Sequence, residues 1–337
     1  MLLYADGFDD YNTATSIYEW NGGITISTTG GRNGGGYEQL IYTAAARAFD
    51  NSDLTTIWGG AFRFGGGLGS STGLIYFGDS ALRQLGYVTI DPVGRIGWFS
   101  NVTNTQLVNS SPVINFNGVT WYFLEFKMKL GTGSSGEIYI HLNENPIVTN
   151  TALHTGFDGS ATVMSIGKNI GYVWGCDLDD EYLCNTQGTE CNDFLGDCKS
   201  YFIQPNGAGA NADFTPHGSG NNFANVNETV FDGGTTYNES ATVNNKDSFI
   251  YAALPAGVHS ALAVIYKVMA GKTQAATRQY KNMLVVNGNE YFGVTNYLGT
   301  GYSKYVDIWM LNPDTGVGWL VADFLAANFE AGYKLTA

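Results

Sequence analysis

Basic side chains are scarce in this sequence. Only 16 of its 337 residues are Lys or Arg, against 30 Asp or Glu, so the net charge is −14 at neutral pH. A protein that binds nucleic acid or an anionic membrane surface needs clustered basic residues to neutralise phosphate groups. The sequence has no such cluster, and we therefore expect neither kind of partner.

Long apolar runs are also missing. No segment approaches the roughly 20 apolar residues that a helix needs to span a bilayer, which argues against membrane insertion. The first ten residues turn acidic at once and lack the basic start of a secretory signal peptide. We expect synthesis in the cytosol of the producing cell.

Histidine and the usual catalytic motifs give no sign of an active site. The four histidines are isolated, with no His-x-x-x-His pair, and no Gly-x-Ser-x-Gly elbow occurs. The glycine-rich stretch 30–36 lacks the Gly-Lys-Ser/Thr ending of a phosphate-binding loop. Nothing in these motifs points to a catalytic residue, and we predict none and no organic cofactor.

Cysteine is rare, and all four residues fall within positions 176–198. Three interpretations stay open: buried thiols, one or two local disulfides, or a zinc site. A disulfide between Cys184 and Cys191 would close a small loop. The spacings lack the Cys-x₂-Cys knuckle of structural zinc sites.

What the sequence does have is glycine and aromatic residues, with 45 Gly, 21 Tyr and 19 Phe. Together with short alternating apolar segments, this composition is typical of all-β proteins with many turns. We predict two β-sandwich, jelly-roll-like domains in tandem, over residues 1–185 and 186–337. The second is expected to carry long surface loops, above all at 205–225, a polar stretch suited to contacts with neighbours.

Two hairpins are predicted from local pattern. Residues 119–130 alternate cleanly and should pair with 136–142 across a Gly/Ser turn. Residues 279–286 and 290–294 flank Asn287-Gly288, the dipeptide that a type I′ turn prefers. A further turn is predicted at 312–316, where Asn-Pro-Asp-Thr-Gly combines a fixed φ with a glycine.

Residues 172–184 predict a strand, which is followed by a short packed connector. Phe194 and Leu195 are expected to dock in that connector. Period-two alternation places one set of side chains on a common face: Tyr172, Trp174, Cys176, Leu178, Tyr182 and Cys184. Asp180 breaks this pattern, because it falls in the apolar phase. A buried carboxylate there requires hydrogen bonds, a cation or a bulge.

Acidic residues concentrate at 9–10 and 177–181. They are solvated strand-end acids, or a carboxylate pair for glycoside hydrolysis, or a Ca²⁺ site built from Asp9, Asp10, Asp179 and Asp180. Exposed aromatic rings among the seven Trp and 21 Tyr would offer stacking surfaces for sugars.

The first half resembles laminin-G/concanavalin A-like sandwich domains of tailed-phage virion proteins. The residues that carry the resemblance are Phe8–Tyr11, Ala61–Phe64, Trp121–Lys127, Gly136–Asn143 and Asp179–Tyr182. The second half resembles the segment that follows this domain in those proteins, through Asn192–Asp197, Pro205–Gly209, Phe214–Pro216, Asn225–Glu228, Asn312–Gly316 and Trp319.

The resemblance implies a non-enzymatic structural component of a tailed-phage virion, assembled in the host cytoplasm. We expect it to be tail-associated, at the tip, baseplate or fibre, with other virion proteins as partners and contact with host surface glycans. Symmetry at such positions suggests a homo-oligomer, and a trimer is the state that we expect first. Two alternatives stay open: a capsid decoration or head-fibre protein, and a secreted carbohydrate-binding protein.

Overall fold

The computed structural model describes residues 1–9, 25–32, 34–40, 44–49, 51–81, 83–159, 162–169, 176–218, 220–229, 231–326 and 328–337. These residues form two compact units, Met1–Tyr201 and Phe202–Ala337. All regular structure in the described part is strand or 3₁₀ helix, which confirms the predicted all-β class. Residues 186–201, which the sequence assigns to the second domain, lie in the first unit. The tandem-domain assignment itself stays a prediction.

The first unit contains fourteen strands among the described residues. They are Leu2–Asp6 (β1), Thr25–Ser27 (β2), Tyr37–Leu40 (β3), Ala44–Ala48 (β4), Thr55–Phe64 (β5), Thr72–Asp79 (β6), Gln84–Ile90 (β7), Ile96–Ser100 (β8), Thr105–Asn109 (β9), Trp121–Lys129 (β10), Gly136–Leu142 (β11), Asn145–Leu153 (β12), Val163–Asn169 (β13) and Cys176–Asn185 (β14).

These strands form two antiparallel sheets. The larger sheet has eight strands in the order β12-β11-β10-β5-β14-β3-β2, with β1 paired to β14. The smaller sheet has six, in the order β4-β13-β6-β7-β8-β9. The predicted pairing of β10 with β11 is confirmed, since Leu124 opposes Leu142 and Met128 opposes Ile138.

One core joins the two sheets. Phe126 of the larger sheet packs on Phe77 and Trp98 of the smaller one, with ring centroids 5.1 and 5.0 Å apart, and all three side chains are fully buried. Apolar side chains of both sheets, among them Ile26, Phe62, Leu85, Leu124, Ile140 and Leu178, turn towards this core. Truncating one such ring to alanine costs about 3–5 kcal/mol. The unit is therefore a β-sandwich.

A bulge interrupts β14 at Asp180, one of the three alternatives that the sequence left open there. The pairing with β5 shifts between Asp179 and Tyr182, and Asp180 has a φ of 50°. An extra residue reverses which side chains face the core. Cys176 and Leu178 face it before the bulge, and Leu183 faces it afterwards. The prediction that Tyr182 and Cys184 lie on the same face as Cys176 and Leu178 was therefore wrong. Tyr172 and Trp174, which were assigned to that face too, lie outside the described residues.

The second unit contains nine strands in its described part. They are Pro205–Ala212 (β15), Thr215–His217 (β16), Tyr237–Glu239 (β17), Lys246–Tyr251 (β18), Val264–Ala270 (β19), Gln279–Val286 (β20), Asn289–Tyr297 (β21), Ser303–Trp309 (β22) and Phe329–Leu335 (β23); short 3₁₀ helices cover Phe223–Asn225 and Val321–Phe324.

A five-stranded sheet, β15-β18-β23-β20-β21, carries this unit. The separate ribbon of β19 and β22 packs on it, because Val264, Tyr266 and Trp309 contact the buried cluster around Leu284 and Phe329. A second ribbon pairs β16 with β17. The arrangement is a small sandwich of a sheet and a ribbon.

Two turns of this unit have the conformations that their residue types predict. Asn287 and Gly288 have φ of 51° and 80° between β20 and β21, which confirms the predicted type I′ hairpin. The predicted turn at 312–316 is also confirmed: the Gly316 amide donates to the Asn312 carbonyl at 2.8 Å, and Gly316 has a φ of 72°.

The prediction of a long surface loop at 205–225 was wrong. Pro205–Ala212 is an edge strand paired with β18, and Thr215–His217 is a further short strand. Residues along Pro205–Ala212 alternate between half-buried and exposed, but after Pro205 they are all Gly, Ala or Asn. Such residues give no hydrophobic period, so the strand is invisible to pattern analysis.

No described helix has the length and apolarity that crossing a membrane requires.

Candidate functional site

The candidate site lies on the outer face of the larger sheet, the face turned away from the core. Cross-strand registers set its side chains in rows. One row holds Trp121, Arg63 and Asp177 on β10, β5 and β14. The next row holds Phe123 and Ala61, and the one after it holds Glu125, Gly59 and Tyr182.

A connector, residues 186–200, crosses this outer face and covers part of it. Asp193 forms an ion pair with Lys127 at 2.9 Å, and the Phe194 ring lies 4.0 Å from the His141 ring. Phe194 docks as the sequence suggested. The Ser200 amide donates to Asp180 Oδ1 at 2.8 Å and fixes the far end. The connector therefore closes the middle rows against solvent.

A carboxylate and a phenol lie under the connector. The Tyr182 hydroxyl donates to Glu125 Oε1 at 2.5 Å, and both side chains are 1% exposed. The Gly196 amide donates to the same Glu125 oxygen at 2.9 Å, and the Leu195 amide donates to the Tyr182 hydroxyl at 3.1 Å. Two backbone amides thus bind the connector to this pair. Burial raises the pKa of Tyr182 well above its ordinary value, and the Glu125 charge adds to the effect.

Arg32 organises the acidic residues at one edge of the connector. Its guanidinium contacts Asp180 at 3.4 Å and also pairs with Asp197, while its backbone amide donates to Asp179 Oδ2 at 2.7 Å. Asp9 accepts from the Gly36 amide at 2.7 Å. A guanidinium therefore supplies positive charge next to these carboxylates, and backbone amides bind them.

Burial dominates the protonation of this cluster. It raises the pKa of Asp179 to about 8, where the neighbouring Asp180 charge adds to the rise and the Arg32 amide opposes it. It raises the pKa of Asp180 to about 6, against the Ser200 amide and the Arg32 charge. Asp179 and Asp180 are each 2% exposed. The interpretation of the acidic residues as solvated strand-end acids therefore does not hold for these two.

The predicted Ca²⁺ site is only partly covered by the structure. Asp9, Asp179 and Asp180 are described, and Asp10 lies outside the described residues. Within the described ranges, no group of three or more His, Cys, Asp or Glu side chains is arranged to hold a metal ion. The four-residue Ca²⁺ site stays a prediction.

The four cysteines carry thiols, and the suggested disulfide between Cys184 and Cys191 is not formed in the structure. The Cys184 thiol instead donates to the Asp193 carbonyl at 3.6 Å. Burial raises the pKa of Cys184 to about 12, and it raises that of Cys176 well above the ordinary value. Of the three interpretations, buried thiols is the one that holds for Cys176 and Cys184, while Cys191 and Cys198 are half-buried.

The row of Trp121, Arg63 and Asp177 stays half-buried, and the buried Tyr37 ring lies beside it. We call these four residues the open end. Arg63 donates through Nε and Nη2 to Asp177 Oδ2 at 2.9 and 2.7 Å. Its guanidinium carbon lies 4.6 Å from the Trp121 ring centroid and 5.2 Å from that of Tyr37. An indole, a cation and a carboxylate thus meet at a half-buried surface.

Sequence reasoning missed the open end because its members come from four strands. Each residue alone is an ordinary strand residue. The one local signal was the polar phase of β10, where Trp121 stands with Phe123, Glu125 and Lys127 on a face expected to be wet. Large aromatic residues in a polar phase indicate a covered or binding face.

No protein-family model matches this chain, and no curated protein matches it. Similar solved structures include the endo-β-1,4-glucuronan lyase of the fungus Trichoderma reesei, at 8% identity and a TM-score of 0.39, covering 54% of this chain and 95% of the lyase. A carbohydrate esterase of the Shiga toxin-encoding bacteriophage phi24B matches at 13% and 0.37, covering 54% and 97%. The carbohydrate-binding module CBM66 of Bacillus subtilis matches at 11% and 0.32, covering 49% and 94%.

These matches correct one expectation. The sequence predicted a protein that is not an enzyme, yet two of the three similar structures are enzymes that act on carbohydrates. The prediction of a non-enzyme is therefore withdrawn. One of the three comes from a phage, and none is a virion structural protein by its description. At these identities the similarity transfers no activity, substrate or site to this chain.

Proposed function

We propose that this chain binds glycans through the open end of the first unit, as a tail-associated component of a tailed-phage particle. The observation that carries the glycan part is the meeting of the half-buried Trp121 ring with the Arg63–Asp177 ion pair, beside the buried Tyr37 ring. Sugar sites combine aromatic faces with a few fixed polar groups.

The polar groups of the open end are held in place before any ligand arrives. Asp177 receives two hydrogen bonds from Arg63, and Arg63 Nη1 donates to the Gly30 carbonyl at 3.2 Å. Burial raises the pKa of Asp177, and Arg63 opposes that rise. A preorganised pair of this kind loses little conformational entropy when a hydroxyl group binds.

The middle rows of the outer face do not compete for a glycan. The connector buries Phe123, Glu125 and Tyr182, each of which is 1% exposed. The Lys127–Asp193 ion pair and the amides of Leu195 and Gly196 hold it there. The ligand is therefore expected at the row that the connector leaves uncovered.

The test compares binding to a panel of bacterial surface polysaccharides. Trp121→Ala should weaken binding about tenfold or more, because a central aromatic side chain often dominates a contact surface. Tyr297→Ala, an exposed aromatic of the second unit at 67% exposure, is the matched control and should bind as the native chain does. Unchanged binding by Trp121→Ala, or no binding by the native chain, would refute the proposal.

The virion part rests on the sequence resemblance, and one of its more specific blocks, 192–197, lies in the connector. Immunogold labelling of intact particles tests it. Label at the tail supports the tail position. Label over the head favours the decoration or head-fibre alternative, and unlabelled purified particles favour the secreted carbohydrate-binding alternative. Sedimentation of the purified chain tests the proposed homo-oligomer, with a trimer as the expected species.

A further inference from the structure

The second unit contains a cavity that the function proposed above does not use. Its volume is about 200 Å³, and it lies between the edge strand β15, the end of β20 and the start of β23. Four polar side chains line it: Asn211, Glu290, Asn328 and Glu330. Val285 adds an apolar side chain to this wall. Its size suits one small ring rather than an extended chain.

Glu330 is held in a fixed orientation at this cavity. Its Oε2 accepts hydrogen bonds from the Ala210 amide at 2.9 Å and from the Ser248 hydroxyl at 2.6 Å. The Asn211 amide donates in turn to Ser248 Oγ at 3.0 Å. Its other oxygen, Oε1, accepts no hydrogen bond from the residues that the structure describes. The backbone thus positions a carboxylate with one acceptor oxygen to spare.

The second carboxylate is electrically compensated. Lys246 Nζ lies 2.7 and 2.6 Å from the two oxygens of Glu290, so this pair adds no net charge to the wall. The Asn328 side chain donates to the Ala322 carbonyl at 3.2 Å, and that of Asn211 is directed to Ser248 at 3.4 Å. Each side-chain amide uses one N–H in this bond, so each keeps a second N–H donor and presents its oxygen as an acceptor.

A wall with a spare carboxylate oxygen and two side-chain amides selects a ligand whose groups both donate and accept hydrogen bonds. An anion such as phosphate or sulfate would meet the Glu330 carboxylate and is disfavoured. Hydroxyl groups on a small ring supply donors to the Glu330 carboxylate and accept from the amides, and its C–H face fits against Val285. We infer that this cavity is a second carbohydrate site, which accepts a single neutral sugar residue.

The experiment uses the full chain carrying Trp121→Ala, so that the open end contributes no signal. Saturation-transfer NMR with methyl glycosides of glucose, galactose, mannose and N-acetylglucosamine should detect binding of at least one. Glu330→Gln turns the spare acceptor into an amide and should weaken that binding about tenfold to a hundredfold. Glu239→Gln, an exposed carboxylate of the same unit that contacts His217, should leave it unchanged.

A second variant guards against a folding defect. Ala210 is exposed and lines the cavity, so Ala210→Leu fills the space without disturbing the core. It should abolish sugar binding while the urea unfolding midpoint stays native. The inference is overturned by native binding in Ala210→Leu, by the absence of binding to every glycoside, or by binding of lysine methyl ester without any neutral sugar.

Discussion

The ring of Tyr182 lies directly on Gly59, across the pair of strands β5 and β14. A Cβ at position 59 would stand 2.2 Å from Tyr182 Cε1, far inside van der Waals contact. Glycine is therefore what allows the Tyr182 ring to lie flat on the sheet and its hydroxyl to reach Glu125. The connector binds to this arrangement, so one missing side chain determines how the outer face is covered.

Gly59→Ala is expected to destabilise the first unit by about 1–3 kcal/mol, the usual cost of overpacking. The Tyr182 ring must move, which also loosens the connector. Urea unfolding followed by tryptophan fluorescence measures the change. Gly67→Ala is the matched control, because nothing lies within 4 Å of a Cβ there; it should change stability by less than about 0.5 kcal/mol. Equal stability of the two variants would contradict the argument.

The hydrogen bond between Tyr182 and Glu125 should couple the two residues strongly. A double-mutant cycle with Tyr182→Phe and Glu125→Gln is expected to give a coupling free energy of about 1–3 kcal/mol. The bond is buried and its acceptor is charged, so water cannot replace it when either partner is removed. The same cycle with Tyr139→Phe and Glu137→Gln, whose 2.7 Å bond lies on the same face but half exposed, should give less than about 1 kcal/mol. Similar values for both pairs would argue against burial as the cause.

The buried acids predict how stability depends on pH. Burial raises the pKa of Asp179 to about 8 and that of Asp180 to about 6, above the value of an exposed Asp. The folded state then binds more protons than the unfolded chain, so the free energy of unfolding should fall as the pH rises through this range. Unfolding in urea between about pH 5 and about pH 9 measures it.

Two variants separate this cluster from other acids. Asp179→Asn removes one of the coupled charges, so the decline in stability towards alkaline pH should become shallower. Asp232→Asn is the control, because backbone amides and Thr236 lower the pKa of Asp232 despite the opposing effect of desolvation, and that residue stays ionised over the whole range. A slope that Asp179→Asn leaves intact would show that other groups cause the dependence.

The thiols should react slowly in the native protein. Burial raises the pKa of Cys176 and Cys184, and a thiol reacts with iodoacetamide through its thiolate. We expect alkylation of these two to become fast only after unfolding in urea, as measured by peptide mass spectrometry. Four alkylated cysteines in the unfolded, unreduced chain would agree with the structure. A Cys184–Cys191 cross-linked peptide would contradict it.

Local pattern was sufficient wherever neighbours in sequence carry the information. Alternation in β10 and β11 predicted their hairpin, and Asn287-Gly288 predicted the turn between β20 and β21, because positive φ suits these residues. Asp180 in an apolar phase marked an irregularity in β14 and left a bulge as one of three explanations. Each of these depends on steric preferences or on period-two burial within a few residues.

Only the tertiary structure decided how the outer face is used. The bulge reverses the phase of β14 and moves Tyr182 to the outer face, a result that depends on which residue of β5 opposes it. The open end brings together Tyr37, Arg63, Trp121 and Asp177 from four strands, and Arg32 reaches Asp180 from a distant segment. Sequence distance says nothing about such contacts, since strand order and register are fixed by burial of the whole sheet. The strand 205–212 was hidden for the opposite reason, because Gly, Ala and Asn bury too little apolar surface to leave a pattern.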